Sequence, residues 1–433
     1  MFILAKFSLS ALLVKAIIIA LLLSGFFTNF LSFSQINTGT VLVDLLLSLI
    51  LIHLLLWYAY SLYYSVQVDK VYCFILGSLS ILFILTLGKL LLIDRNPFPE
   101  KVLGLRNNLI YIAPLLYIPL FFKRERHIIK TLNLLIAIGL LLVVFSYFQF
   151  VFATSLPKSL MVLRSEATFG FWGTSIVRPT ALVGNTIIFS SFTIILFSFY
   201  FAKYLYNTTW KCFFVLLLIA VATLLTFTRA ALAGLIIVVF VGLYLRYGRL
   251  SVSFILRMFG IALLLVILAL GAYIFYQDSL MIKRFTGQDI NSLQSNNEHF
   301  TQIEASLSYL AQRPFAGIGV GSQGPSGGSS KMITDGYWLQ LFLENGILLG
   351  SLYLFFYVSC FTFALREFYR TRNLLQKQLC MSFICFSVYF GAASFLNSAF
   401  AGRTNFIIYW ILFGLLVGEH LIEKKKIYGF ASR

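Results

Sequence analysis

The sequence predicts an all-α polytopic membrane protein of about twelve transmembrane helices, and three observations carry that prediction. Hydrophobic residues make up 60% of the 433-residue chain and charged residues 11%, whereas a soluble domain has about 25% charged residues. Apolar runs of about 18 residues or more recur along the whole length, each long enough to cross a bilayer as a helix. The basic residues fall in short loops between those runs, which is where they orient a membrane protein. The formal net charge of +18 therefore points to a lipid bilayer and not to nucleic acid. No zinc-finger spacing and no basic arm accompany it.

In chain order the expected spans lie near 10–31, 41–64, 71–93, 108–122, 131–153, 181–203, 211–227, 230–247, 253–276, 337–365, 378–398 and 404–421. The run from Ser10 to Leu31 is longer than a signal-peptide core, carries Lys15 and lacks a small-x-small cleavage site, so it reads as a retained helix. The fourth run is short. No internal repeat is visible, and 1–433 reads as one integral membrane domain. The five cysteines, Cys73, Cys212, Cys360, Cys380 and Cys385, lie in or beside apolar runs, which excludes a disulfide framework and a CxxC metal site.

Loop charge gives the orientation. Lys123, Arg124, Arg126 and Lys130 follow the fourth run, and Arg246, Arg249 and Arg257 follow the eighth. Arg366, Arg370, Arg372 and Lys377 follow the tenth, and Lys424, Lys425 and Lys426 the last. With both termini cytoplasmic, all four clusters fall inside. The opposite face then holds the loops Asp94 to Asn107, Ala153 to Thr180, and 277–336. The last is the large exported loop and carries most of the polar chemistry. Within it Phe300, Ile303, Leu307 and Leu310 form a helical stripe, with Asn296, Asn297, Glu298 and Gln302 toward water. A short amphipathic helix on the membrane interface is expected there. Arg313-Pro314 ends it. Pro325 and the glycines Gly317, Gly319, Gly321, Gly324, Gly327 and Gly328 then predict a mobile stretch, a candidate lid.

The candidate chemistry lies at the outer end of the bundle. Arg178, Arg229, Arg284, Arg313 and Arg403 all fall there. An arginine at a helix end often only snorkels to headgroups. Arg229 differs, because apolar sequence surrounds it without an acidic neighbour, which places it toward the bundle interior. Several guanidinium forks around one cavity would suit a pyrophosphate. Asp335 opens the tenth span, either as its N-cap or as a general base. Glu344, about two and a half turns further on, is a partner for an arginine or shares the acid–base role. His299 is the histidine of the exported loop, and more often such a residue is a surface one. His53 sits in an apolar run and reads as packed. Gly317-x-Gly319-x-Gly321 lacks the strand of a dinucleotide fold and the lysine of a P-loop. No metal spacing and no cofactor motif are present.

The second half of the chain resembles the O-antigen polymerase and O-antigen ligase superfamily. The resemblance rests on Arg178 to Asn185 (Arg-Pro-Thr-Ala-Leu-Val-Gly-Asn), Thr226 to Arg229 (Thr-Phe-Thr-Arg), and Arg313 to Gly321 (Arg-Pro-Phe-Ala-Gly-Ile-Gly-Val-Gly). It also rests on Asp335 to Gln340 (Asp-Gly-Tyr-Trp-Leu-Gln) with Glu344-Asn345-Gly346. It implies a glycosyltransferase of the bacterial cytoplasmic membrane, GT-C-like in architecture, that acts on undecaprenyl-pyrophosphate-linked glycans at the outer leaflet, without nucleotide sugar or metal. A chain-length regulator protein is an expected partner. Asp335 and Glu344 are then the expected catalytic residues. Arg178, Arg229, Arg284 and Arg313 would hold the pyrophosphate, and Arg403, His299 and Tyr337 would contact the glycans. Ligases of the family typically carry histidine where this chain has Asp335, which points to the polymerase branch. Many members have an arginine near Asn296 to Glu298. This chain has none, and Arg284 or His299 is the candidate substitute. The competing expectations are a ligase that transfers the glycan to lipid A core, and a flippase. A transporter predicts repeats and polar residues at mid-membrane, whereas here the polar residues gather at one face.

Overall fold

The computed structural model describes residues 2–30, 38–64, 68–153, 155–161, 177–248, 283, 286, 290–323, 334, 336–395, 397, 400 and 402–431. Among these the chain is helical. The elements are α1 (Phe2–Leu22), α2 (Ser24–Phe30), α3 (Thr38–Tyr63), α4 (Lys70–Leu92), α5 (Phe98–Asn108), a 3-10 turn (Ile110–Ile112) and α6 (Ala113–Phe121). There follow α7 (Glu125–Val151), α8 (Lys158–Met161), α9 (Thr186–Tyr206), α10 (Trp210–Leu225) and α11 (Arg229–Tyr247). The last are α12 (Ile290–Gln312), α13 (Tyr337–Arg370), α14 (Leu374–Ala393) and α15 (Arg403–Ala431).

Short polar residues start several of these helices where the sequence turns apolar. Asp69 accepts from the Val71 amide (2.9 Å), and Asn185 from Ile187 and Ile188 (2.9 and 3.1 Å). Thr209 and Asn373 do the same for α10 and α14. Such caps satisfy amides that lipid cannot. The most buried helix is α15. From Phe406 to Val417 its apolar side chains are at most 3% exposed. It packs against α6, α14 and α1, with further contacts to α7, α9 and α13. Around its first turns Tyr337, Tyr357, Phe400, Tyr409 and Trp410 pack ring against ring at 5.0–6.3 Å. The outer helices instead present Leu55, Leu56, Leu62, Leu91 and Leu92, all more than half exposed, as lipid-facing side chains do.

Seven helices among the described residues are long and apolar enough to cross a membrane: those within 39–63, 70–92, 125–151, 186–206, 229–247, 337–370 and 403–426. The expected first span is a pair, α1 and α2, bent by 68°, and counting it as one span raises the number to eight. The bend turns α2 onto the loop before α9, where the Gly25 and Phe26 amides donate to Leu182 O (3.0 and 3.1 Å). The expected fourth span is the 3-10 turn of three residues plus α6 of nine, about 20 Å together, too short for a hydrocarbon core of about 30 Å. At 16 residues, α10 is also short. Residues 374–393 form a helix whose first turns carry Gln376, Lys377 and Gln378, which lowers its apolar character. The expected span 253–276 lies outside the described residues.

Two loops differ from expectation. Asp94 to Asn107 contains α5, entered through Pro97 and Pro99, residues suited to a first turn. The amphipathic helix is longer than the stripe suggested, running from Ile290 to Gln312, and it packs on α13. Phe300 and Leu307 stay exposed, while Ser306 is buried.

The two ends of the bundle are distinct. Lys424 near the end of α15 meets Asp69 at the start of α4 (2.6 Å), and Asn373 at the start of α14 meets Glu419 (3.2 Å). Ser382 reaches Ser198 O, and Tyr389 reaches Ser191, so α9 runs antiparallel to α14. Arg246 at the end of α11 bonds Leu205 O at the end of α9. The starts of α9, α11, α13 and α15 therefore stand at the end opposite Lys424, together with the end of α4.

Candidate functional site

The site is built on a break in α13. The helix runs through an apolar sequence interrupted by Glu344-Asn345-Gly346, and at Gly346 the backbone takes φ 74°, ψ 173°. That region is open essentially to glycine alone, and a Cβ here would also collide with the Phe315 carbonyl. A break at this depth frees main-chain groups that need partners. The glycine segment supplies most of them. Ile318 N donates to Leu343 O (2.8 Å), and Ile347 N donates to Pro314 O (2.7 Å). Glu344 O accepts from Lys89 Nζ at 2.7 Å.

Lys89 is the last charged residue of α4, with its side chain 5% exposed. Its ammonium also meets Asp94 Oδ1 at 2.6 Å. Asp94 in turn accepts from the Val320 amide through Oδ2 (2.9 Å). Lys101 Nζ caps the end of α4 by donating to Leu90 O and Asp94 O (2.9 and 2.7 Å). A buried charge with one partner removed is costly, so this pairing explains how the two charges survive inside.

Glu344 is 2% exposed. Its Oε2 accepts from Asn108 Nδ2 (3.1 Å), and its Oε1 from the Gln323 amide (3.1 Å) and Gln340 Nε2 (3.4 Å). The Gly321 amide bonds it as well, and it feels the charge of Lys89. Gln323 Oε1 accepts from both the amide and the hydroxyl of Thr334 (3.1 and 3.2 Å). Two hydrogen-bonded steps thus link Glu344 to the residue before Asp335. Gln340 Oε1, Gln323 Nε2 and Asn345 Oδ1 are buried without a partner among the described residues. Buried amides usually meet water or a ligand at such atoms.

The described part of the glycine segment is packed and is not a free lid. Val320 is 0% exposed. Gly321, at φ 80°, lies against α5 so closely that a Cβ would strike the Glu100 carbonyl, and a Cβ at Gly104 would strike the Gly321 amide. The amides at 320, 321 and 323 point at Asp94 and Glu344, the chain's own carboxylates. Residues 324–333, with the remaining glycines and Pro325, lie outside the described residues.

The expected arginines take separate settings at this end. Arg178 Nε donates to Thr226 O (2.9 Å) and Nη2 to Thr228 Oγ1 (3.3 Å). Thr228 precedes Arg229, the first residue of α11, so one turn gathers both arginines. The turn passes through Phe227 at φ 52°, a left-handed position rarely taken by a bulky residue. Gln149 of α7 fixes the approach, accepting from Thr180 N (3.1 Å) and donating to Leu160 O and Ala181 O (2.9 Å each). Arg313 is exposed and lines a pocket of about 430 Å3 with Asp94, Arg95 and Asn96. Arg403 bonds Tyr111 beside the Arg106–Asp44 pair (2.9 Å), and its Nε is buried without a partner among the described residues.

Of the other expected residues, His299 lies half-exposed on α12. Tyr337 is 3% exposed, with its hydroxyl on Tyr357 (2.7 Å), inside the aromatic cluster. Asp335 and Arg284 lie outside the described residues. The sequence reading missed Lys89, Asp94, Asn108 and Gln149. Asn108 and Gln149 stand out only as polar residues at the edge of, or inside, apolar runs.

Residues 214–354 match the family model described as O-antigen ligase. The match runs from α10 through the break in α13. It takes in Arg229, Arg313, Asp335 and Glu344, and leaves out Arg178, Arg403 and the Lys89–Asp94 pair. Curated proteins show no match to the chain. Members of that family are glycosyltransferase-like enzymes of surface-polysaccharide assembly, and the long apolar helices of this chain fit an integral membrane protein. Over this segment, about a third of its length, the chain is similar to the O-antigen polymerase and ligase superfamily.

Proposed function

We propose that the protein polymerises undecaprenyl-pyrophosphate-linked glycan repeat units at the outer leaflet of the bacterial cytoplasmic membrane. The observation that carries this reading is the buried, hydrogen-bonded Glu344 at the break in α13, at the same end of the bundle as the arginines. There Glu344, the Lys89–Asp94 pair and the Arg178–Arg229 turn all stand at the end opposite Lys424. Such an arrangement suits chemistry at one membrane surface better than passage through it.

In the proposed reaction Asp335 takes the proton of an acceptor sugar hydroxyl. The hydroxyl oxygen bonds to the donor's anomeric carbon, and the bond from that carbon to the pyrophosphate oxygen breaks. Its electron pair leaves with undecaprenyl pyrophosphate, whose growing charge the arginines stabilise. The bundle holds two lipid-borne substrates in register, which removes much of the entropic cost. Glu344 acts through the chain, holding the glycine segment and, through Gln323 and Thr334, the approach to Asp335.

The description of the matched family favours the ligase as the second reading, and Asp335 in place of a histidine favours the polymerase. Gel profiles of surface polysaccharide from a deletion strain separate them. A single repeat unit on the core is the expected result. Bare core with long glycan stranded on undecaprenyl would establish the ligase and overturn the polymerase.

A further inference from the structure

The opposite end of the bundle holds a second polar cavity that the proposed reaction does not use. It has a volume of about 590 Å3 and lies between the start of α4, the end of α13 and the last turns of α15. Arg366 and Arg370 enter it from α13, spaced four residues apart on one helix face. Arg372 enters from the turn that follows. Val71 and Phe363 give it an apolar wall.

The charges around this cavity do not cancel. The Glu367 carboxylate meets His420 Nδ1 at 2.7 Å. Asp69 meets Lys424 Nζ at 2.6 Å. Burial raises the Asp69 carboxyl, but Lys424 and the Val71 amide outweigh burial and hold it below its ordinary value, so this pair is ionised. Glu423 accepts from Thr371 Oγ1 at 3.0 Å. Arg366, Arg370 and Arg372 have no ion pair among the described residues. Three guanidinium groups therefore face one cavity against two carboxylates, Glu367 and Glu423, whose hydrogen bonds go to a histidine and a threonine hydroxyl.

We propose that this cavity binds the headgroup of an anionic phospholipid. The phosphodiester would sit on the arginine forks, which match its oxygens in pairs. The acyl chains would leave along Val71 and Phe363 toward the lipid-facing surface. Basic pockets between membrane helices take such headgroups, and the volume lies within the range of ligand sites. A free phosphate would satisfy the arginines but leave the apolar wall without a role. Basic residues that only set orientation need no cavity and no shared face.

The test uses the full chain in detergent, with native mass spectrometry and thermal unfolding in phosphatidylglycerol, phosphatidylcholine or inorganic phosphate. Phosphatidylglycerol should be retained and should raise the Tm. Arg366→Gln, Arg370→Gln and Arg372→Gln together should weaken its apparent affinity by about tenfold or more. The control Arg124→Gln, Arg126→Gln and Lys130→Gln removes equal charge at the same end of the bundle and should leave affinity within about threefold. An equal loss in the control would make the effect diffuse charge and overturn the proposal. Equal protection by phosphatidylcholine or by inorganic phosphate would also overturn it, the latter in favour of a free-anion site. If the triple variant does not purify, Arg370→Gln and Arg370→Lys carry the test, and wild-type affinity in both would end the idea.

Discussion

Lys89 donates to the main-chain carbonyl of Glu344 at 2.7 Å, across 255 positions of sequence. The bond joins the end of one helix to the break of another. The carbonyl is free only because Gly346 interrupts α13, and the ammonium is tolerated only because Asp94 is 2.6 Å away. Lys89→Met should leave Asp94 buried and without its cation, at a cost of about 3–5 kcal/mol. The double change Lys89→Met with Asp94→Leu should cost less than the sum of the two single changes. Thermal unfolding of the four proteins in detergent checks this, and simple additivity would remove the pair from the account.

The glycines that fit loop to helix should behave unlike glycines in open helix. Gly346→Ala and Gly321→Ala place a methyl group on a neighbouring carbonyl at a positive φ. Each should lose at least about 1–3 kcal/mol. Gly88→Ala in α4 meets no atom within 4 Å and should be neutral or stabilising by up to about 1 kcal/mol. The ranking of Tm values decides the matter.

The contrast between Gly346 and Gly88 also shows what was legible in the sequence. Apolar length gave most of the helices, because crossing a bilayer imposes one simple requirement on every span. Arg229 and Glu344 are legible as polar residues in apolar surroundings, and Arg313 as the basic residue ahead of the glycine run. The break in α13 is not, because an Asn-Gly pair inside an apolar run is also compatible with a continuous helix. What opens the helix is the arrival of Pro314, Phe315 and Ile318, roughly thirty positions earlier in the chain. Lys89 and Asp94 looked like an ordinary helix end for the same reason, since their partners lie far away in sequence. The glycine segment read as mobile from composition alone, whereas Val320 and Gly321 are held by contacts with Asp94, Glu100 and Glu344.

The Arg178–Arg229 turn invites a direct comparison of charge with geometry. Arg229→Lys keeps the charge and loses the fork, and Arg229→Ala loses both. If the fork holds a pyrophosphate, lysine should restore little, with turnover down by about 10²-fold in either variant. Gln149→Leu leaves both arginines in place but releases Thr180 and Ala181, and it should lower activity through Arg178. Wild-type polymer length from both Arg229 variants would count against a clamp at this turn.

Orientation decides which surface the chemistry serves. With Cys73 replaced by serine, the remaining four native cysteines are buried. A cysteine introduced at Ser326 should then react with an impermeant thiol reagent in cells whose outer membrane alone is permeabilised. One introduced at Lys425 should react only after the inner membrane is opened. The reverse pattern would place the Glu344 end on the cytoplasmic side and end the lipid-linked donor reading.

Asp335 and Glu344 are two carboxylates with different work, and their amide variants should separate them. The N-cap of α13 is Gly336 and not Asp335 as expected, so Asp335→Asn removes no helix cap and should leave stability close to that of the wild type. Removing a general base should lower the rate by about 10²–10⁴-fold. Glu344→Gln is different in kind. Its carboxylate accepts from Asn108, Gln340 and the amides of Gln323 and Gly321. A glutamine there turns one acceptor into a donor facing other donors, and a buried group left without a partner costs about 1–3 kcal/mol. That variant should lose stability and activity together. Asp335→Asn should keep its Tm and make no long polymer in a purified assay. If Asp335→Asn polymerises normally while Glu344→Gln keeps its Tm and does not, then Glu344 is the base, and its hydrogen bonds hold a reacting group in place.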